Sequence, residues 1–373
     1  MPSLQLKNVG QIKNVKVDFK DITILVGNQA VGKSLFLQMY KLVNDIGYIK
    51  TELNYHGYSY SDFKSFLDLY FGEGMRSIIK DDSKIIFNNK NIDLKERLEK
   101  SRNSYMKNFY IPAQRVLMLE YGYAKPFTSF DMSYPYVLKE FSELIRFEMD
   151  KSLNNDIFPQ PNKLKKELRD IITKHIYKGK IKIETIGNRK QIVMDLNKNK
   201  FSFGSWSAGQ KEFAPFLFGL YWALPSARVS TRDKVKIITI EEPEMGLHPN
   251  AIVDTMILIF ELVNRGYKVV LSTHSNTILE LFWVMNELKN YKKIDKVDKF
   301  LKMFDLPKND SMKEFAKNIL NKTFNIYYFK EEKDGVVQKN ITKLDYESDE
   351  DWGEISKFSS RFSNIVSSLY EGL

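Results

Sequence analysis

Apolar and polar residues alternate over Leu4-Gln5-Leu6 and Val15-Lys16-Val17-Asp18-Phe19, the two-residue period of half-buried β-strands. At Ile22-Thr23-Ile24-Leu25-Val26 the alternation gives way to a nearly unbroken apolar run, which predicts a central strand covered on both faces. Gly27-Asn28-Gln29-Ala30-Val31-Gly32-Lys33-Ser34 follows directly, and beyond it Leu35, Phe36, Met39, Leu42 and Val43 mark one face of a helix. The predicted order is strand, glycine-containing loop, helix.

Residues 235–240 and 267–272 predict two more short strands, each ending in polar residues, with an apolar helix over 251–264 between them. That β-α-β order implies parallel strands buried by helices on both sides. A shorter strand at Phe109-Tyr110-Ile111 ends at Pro112, which cannot continue a ladder, so Gln114 and Arg115 emerge from its end. The longest apolar stretch, 213–224, spans about three helical turns and contains Pro215 and Gly219, so it predicts a core helix rather than a membrane span.

Leu138, Phe141, Leu144 and Ile145, then Leu164, Leu168, Ile171 and Ile172, have helical spacing on either side of Phe158-Pro159-Gln160-Pro161, which predicts two helices with a proline elbow. Residues 181–203 alternate around Gly187-Asn188-Arg189 and predict a hairpin. From 50 to 105 there is no clean period, and the segment reads as an insertion of helices and short strands with a highly charged end at 97–107. Past 284 come lysine-rich helices, a hairpin over 325–341 around Asp334-Gly335, and an acidic tail at 345–354 expected to be a mobile surface segment. Internal repeats and sustained heptads are lacking, which excludes a long coiled coil.

Composition narrows the classes. With 43% hydrophobic and 28% charged residues over 373, wholesale disorder is excluded. The absence of cysteine excludes disulfides, thiolate metal sites and cysteine nucleophiles. The amino terminus has no charged start followed by an apolar run, and the expectation is a cytoplasmic protein with no membrane partner. The net charge is +10, and it is concentrated: residues 161–200 hold twelve Lys/Arg against four acids. Such a segment either contacts nucleic-acid phosphates or forms a solvated lysine-rich face, and both readings stay open.

Four motifs carry chemistry. The G-x-x-x-x-G-K-S spacing at 27–34 lets backbone N–H groups wrap a β-phosphate at a helix N-terminus, with Lys33 reaching β/γ oxygens and Ser34 ligating Mg²⁺. Ile240-Glu241-Glu242-Pro243-Glu244 delivers consecutive acids at a strand end, where ligands of parallel sheets bind. Glu241 can reach the metal shell while Glu242 polarises an attacking water as a general base. His274, ending the 267–272 strand, is a candidate sensor of the γ-phosphate. Trp206-Ser207-Ala208-Gly209-Gln210 opens a helix and offers a second anion site at its exposed N–H groups, or an ordinary cap.

In this order the motifs resemble the nucleotide-binding domain of ABC-type ATPases. By that resemblance 27–34 is the Walker A loop, Gln114 the Q-loop glutamine that joins Ser34 and Glu241 at the metal, 206–210 the signature motif, Glu241/Glu242 the Walker B pair, and His274 the switch histidine. Ile111-Pro112-Ala113-Gln114-Arg115, Glu241-Glu242-Pro243-Glu244, Gly246-Leu247-His248-Pro249 and Thr273-His274-Ser275 are similar to the SMC/RecF/OLD branch, in particular its stand-alone OLD-like members. The resemblance implies an α/β P-loop NTPase with an ABC-ATPase head, a mixed sheet flanked by helices, and helical and β insertions. It also implies ATP and Mg²⁺ as cofactors, and a head-to-head dimer in which Ser207, Gly209 and Gln210 of one chain complete the site of the other.

Two features depart from the pattern: Trp-Ser-Ala-Gly-Gln stands for Leu-Ser-Gly-Gly-Gln, and Glu241 for the usual Asp. Only about ninety residues separate Gln114 from Ser207, too few for a chromosome-tethering arm. Asp349-Glu350-Asp351 lacks the strand that a Toprim nuclease domain requires.

The expected organisation is 1–50, the start of the ATPase core with the P-loop; 51–108, insertion; 109–136, Q-loop region; 137–202, helical lobe and basic hairpin; 203–284, signature helix, Walker B and switch-histidine core; and 285–373, a C-terminal helical and hairpin region. Two functions compete. One is an ATPase that gates a separately encoded nuclease or toxin in phage defence. The other is a DNA-stimulated repair or recombination ATPase that grips DNA through 161–200.

Overall fold

The computed structural model describes residues 2–151, 156–225, 231–232, 234–290 and 295–343. In chain order, β1 (Ser3–Val9), β2 (Ile12–Asp18) and β3 (Ile22–Val26) lead into α1 (Lys33–Tyr55), α2 (Phe63–Phe71), β4 (Ile79–Phe87), β5 (Lys90–Asn91), α3 (Leu94–Lys100) and β6 (Asn108–Ile111). A small hairpin, β7 (Leu119–Glu120) and β8 (Tyr123–Ala124), precedes α4 (Tyr136–Lys151), β9 (Asp156–Phe158), α5 (Lys166–His175), β10 (Lys180–Ile186), β11 (Arg189–Leu196) and β12 (Asn199–Ser202). Then come α6 (Ala208–Ala223), β13 (Ile237–Glu241), α7 (Pro249–Asn264), β14 (Lys268–Thr273), α8 (Asn276–Asn290), α9 (Lys296–Met303), α10 (Asp310–Leu320), β15 (Phe324–Glu332) and β16 (Gly335–Asn340).

The main sheet has ten strands in the order β5-β4-β1-β2-β16-β15-β3-β14-β13-β6. β15, β3, β14, β13 and β6 run parallel, so their C-terminal ends share one edge. Consecutive residues of β3 serve opposite faces: Leu25 joins the core under α1, and Ile24 and Val26 join the core under α6 to α10. This double burial is why the run lacks polar alternation.

Several expectations are refined. α1 continues past residue 50 to Tyr55. The 51–108 segment is not a free-standing addition, because β4 pairs antiparallel with β1 and extends the sheet. The proline elbow holds a short strand, β9, and the predicted hairpin is the centre of a four-stranded antiparallel sheet, β12-β11-β10-β9. The C-terminal hairpin turns at Asp334-Gly335 as expected, yet β15 and β16 insert between β3 and β2, in the middle of the main sheet. The acidic tail, including 349–351, lies outside the described residues.

The concentrated charge of 161–200 is partly offset. Seven of its cations meet carboxylates: Lys163–Glu148, Lys166–Asp170, Lys174–Asp305, Lys180–Asp156, Lys182–Asp195, Lys190–Asp150 and Lys200–Glu184. Four of these acids, Glu148, Asp150, Asp156 and Asp305, come from outside the segment. Among the described residues, no helix is long and apolar enough to cross a membrane.

Candidate active site

The loop after β3 turns sharply. Gly27 has φ 147° and Gly32, which caps α1, has φ 83°. A Cβ on Gly27 would sit 2.6 Å from the Phe329 carbonyl of β15, so the inserted C-terminal strand makes glycine obligatory there. Asn28, Gln29 and Ala30 are exposed, Val31 is buried, and Gln11 donates from Nε2 to the Ala30 carbonyl at 3.1 Å. Lys33 folds back into its own loop and donates to the carbonyls of Gly27 and Asn28, each at 2.8 Å. Burial lowers its pKa to about 8, against the opposing pull of Glu242, Glu244 and Glu241.

Parallel pairing brings the acids to the same edge. Glu241 ends β13 fully buried, and its Oε2 accepts the Ala113 N–H at 3.0 Å. Its Oε1 is buried without a hydrogen-bond partner. Burial raises its pKa, while the nearby Ser34 hydroxyl, the Ala113 N–H and the Tyr110 hydroxyl pull the other way. Ser34 itself is exposed on the first turn of α1.

Glu242 follows with φ 41°, a left-handed conformation that costs a non-glycine residue on the order of 1 kcal/mol. Its Oε1 lies 3.2 Å from His274 Nε2, and that contact holds the Glu242 carboxyl below the usual range. Both side chains remain 28% exposed, open to a ligand.

Two residues beyond the expected set organise this edge. Arg115 is buried and donates from Nη1 to the carbonyls of Pro112 and Glu241, from both Nη atoms to that of Glu242, and from Nε to that of Glu212. It thus ties the Q-loop, the strained Walker B turn and α6 together. Glu244 accepts from the Thr273 hydroxyl and the His274 N–H, each at 2.7 Å, and so fixes the histidine loop against the acidic turn. Their signal was present in the sequence as neighbours of Gln114 and Glu242, but the bonds of Arg115 to main-chain carbonyls and of Glu244 to a distant hydroxyl and N–H leave no spacing pattern. Gln114 caps the short helical turn 115–118 with its side chain exposed beside the Glu241 anchor at Ala113.

The signature residues form a separate cluster. Ser207 and Gln210 make a reciprocal capping box at the start of α6, with Ser207 N–H donating to Gln210 Oε1 at 3.1 Å and Gln210 N–H to Ser207 Oγ at 3.3 Å. Gln210 also donates to the Ile176 carbonyl, and Tyr177 donates to the Gln210 carbonyl. Gly209 packs so closely on the turn after β13 that a Cβ would meet the Gly246 carbonyl at 2.9 Å. The motif opens onto a cleft of about 560 Å³. Its hydrogen bonds and close packing are to the lobe and to Gly246, not to the P-loop of the same chain.

The donor set suits a hard cation held mainly by a ligand's oxygens. Glu241 offers an unpartnered buried carboxylate oxygen and Ser34 a hydroxyl, the kind of partial oxygen shell that Mg²⁺ completes with phosphate and water. Among the described residues, no cluster of three or more His, Asp or Glu forms a cage on its own.

The family model described as "AAA domain, putative AbiEii toxin, Type IV TA system" matches residues 22–280. No curated protein matches the chain. Among solved structures, an SMC head bound to the C-terminal winged-helix domain of ScpA is 13% identical, with 91% of this chain and 96% of that one covered and a TM-score of 0.42. The SMC head domain from Thermotoga maritima is 10% identical, with 91% and 97% covered and a TM-score of 0.37. A dimeric bacterial ABC transporter cassette is 12% identical, with 74% and 90% covered and a TM-score of 0.35. At these scores the likenesses add no argument to the geometry.

Proposed function

The chain belongs to the AAA-domain family whose model spans residues 22–280, and from that premise we propose that it binds ATP with Mg²⁺ at residues 27–34 and hydrolyses it. The observation that carries the reading is the meeting of Lys33, Glu241, Glu242 and His274 at one sheet edge, with Glu242 and His274 3.2 Å apart. Lys33 leaves its loop carbonyls for the β- and γ-phosphate oxygens, and the N–H groups of the loop receive the β-phosphate. Mg²⁺, when bound, neutralises charge on those oxygens, and Ser34, Glu241 and Gln114 would hold it. Glu242, ionised beside His274, accepts a hydrogen bond from the attacking water and orients it, and His274 reads the γ-phosphate. A carboxylate held at low pKa is a weak base, which fits slow turnover.

Within one chain the signature cluster bonds to the lobe rather than to the P-loop. This supports a dimer in which Ser207, Gly209 and Gln210 of one copy cap the nucleotide of the other. The family description, with its toxin and type IV toxin–antitoxin system, supports the reading of an ATP-gated regulator of a nuclease or toxin in defence over that of a DNA-stimulated motor. The seven ion pairs of 161–200 point the same way, because a lysine already held by a carboxylate must give up that partner to meet a phosphate.

The test is phosphate release from ATP by the purified chain. Glu242→Gln is expected to slow release by at least about a hundredfold while nucleotide affinity is kept, and Lys33→Ala to lose both. Turnover by Glu242→Gln at the parental rate would remove Glu242 from the mechanism.

A further inference from the structure

The charged end of the 51–108 segment lines a cleft of about 480 Å³ between the middle of α1 and α3, away from the P-loop. Its size is that of a small-molecule site. Arg97, Arg102 and Lys107 line it, and among the described residues none of the three meets a carboxylate, in contrast to the paired cations of 161–200. Arg97 is half-buried, and burial lowers its pKa. Lys100, the fourth cation of the cleft, is held by Glu96.

The remaining lining is not that of a polyanion groove. Ile46 and Ile92 supply an apolar floor, and Asp93 and Glu96 stand at the α3 end, where they would repel a continuous phosphate backbone. Three unpaired cations, an apolar floor and two carboxylates are the complement of a nucleotide. Phosphate meets the cations, the base lies on the isoleucines, and ribose hydroxyls donate to the acids.

We propose that this cleft is a second nucleotide site, distinct from the P-loop, that takes a nucleoside phosphate through Arg97, Arg102 and Lys107. The chain at Lys107 is fixed to the middle of α1. Asp45, at a break in α1 where φ is −124° and ψ 17°, accepts the N–H groups of Lys107 and Asn108 at 3.0 and 3.1 Å. α1 begins at Lys33, and the strand that starts at Asn108 runs to the Q-loop.

The experiment saturates the P-loop with ADP and Mg²⁺, then titrates AMP, GMP, CMP, UMP, pyrophosphate and a ten-residue oligothymidylate by calorimetry. At least one monophosphate is expected to bind once per chain. Arg102→Ala and Lys107→Ala, both exposed side chains, are expected to weaken it by about tenfold or more while leaving ADP affinity and the circular dichroism spectrum unchanged. The proposal is overturned if no monophosphate binds, if neither substitution weakens binding, or if only pyrophosphate or the oligonucleotide binds through these residues. Failure of ADP to bind would instead strike the reading of the P-loop, and the monophosphate titration would still report on this cleft.

Discussion

Lys33 shows how burial tunes one side chain. It bonds to two carbonyls of its own loop, and burial depresses its pKa from 10.5 to about 8. A depressed lysine is protonated below its folded value and neutral above it, while the unfolded chain keeps the proton to higher pH. Phosphate binds the protonated form, so ADP affinity is expected to be flat below pH 7 and to weaken as pH rises through 8, by about tenfold at pH 9. Calorimetric titrations across that range, with proton uptake read from buffers of different ionisation enthalpy, check it; affinity independent of pH would show that Lys33 does not carry the charge that receives the phosphate. Arg115 makes the complementary point. Its guanidinium contacts no reacting atom in this arrangement, but it holds the carbonyls of Glu241 and Glu242 and so positions both acids.

At the scale of elements, α6 has two tasks that a single substitution confuses. Ser207 caps the helix through its box with Gln210, and removing such a cap costs about 1 kcal/mol. It also stands at the cleft where the composite-site reading puts the partner's γ-phosphate. Ser207→Ala removes the cap alone, and Ser207→Arg adds a bulky block. Turnover is expected to survive in the first, at somewhat lower thermal stability, and to vanish in the second, with ADP binding by the isolated chain retained in both. Assays of turnover and of ADP binding on the same preparations separate the tasks, and loss of ADP binding in Ser207→Arg would contradict a site completed in trans.

The whole molecule is tied together by a buried charge cluster rather than by the sheet alone. Lys41 of α1 meets Asp45 at 2.9 Å and Glu140 of α4 at 3.1 Å, all three essentially inaccessible, and donates to the Asn108 carbonyl at the start of β6. Asn108 in turn accepts from the Thr239 hydroxyl of β13 at 2.8 Å. The P-loop helix, the Q-loop strand, the Walker B strand and the lobe therefore share one polar knot. Burial raises the Glu140 carboxyl from 4.5 to about 7, opposed by Lys41. A carboxyl whose folded pKa lies above its unfolded one binds more protons when folded, so its contribution to stability is present below pH 4.5 and lost as pH rises towards 7. Urea unfolding of Glu140→Gln is expected to show a flatter fall in stability between pH 5 and 7 than the parent chain, and an unchanged slope would mean that Glu140 does not titrate there.

Local sequence by itself determined the parallel block and its chemistry. Apolar runs at 22–26, 235–240 and 267–272 can be satisfied only by strands covered on both faces, and each ends in the residues that belong at a ligand-binding edge. Backbone conformation at Gly27 and the cap at Ser207 were likewise legible, because glycine and small polar residues are demanded by short-range geometry. What only the tertiary structure decided is whatever depends on a partner distant in the chain. β15 and β16 could not be placed from their own alternation, because any sheet offers an open edge to such a hairpin. The role of Arg115 rests on main-chain carbonyls, and that of Glu244 on a hydroxyl and an N–H about thirty residues away, neither of which leaves a local signature. Most telling is the basic segment 161–200, whose charge excess is a property of local counting. Folding brings Glu148, Asp150, Asp156 and Asp305 to it from elsewhere, whereas among the described residues Arg97, Arg102 and Lys107 of the charged stretch 97–107 form no ion pair. Charge is read along the chain, but electrostatic energy depends on distance in space.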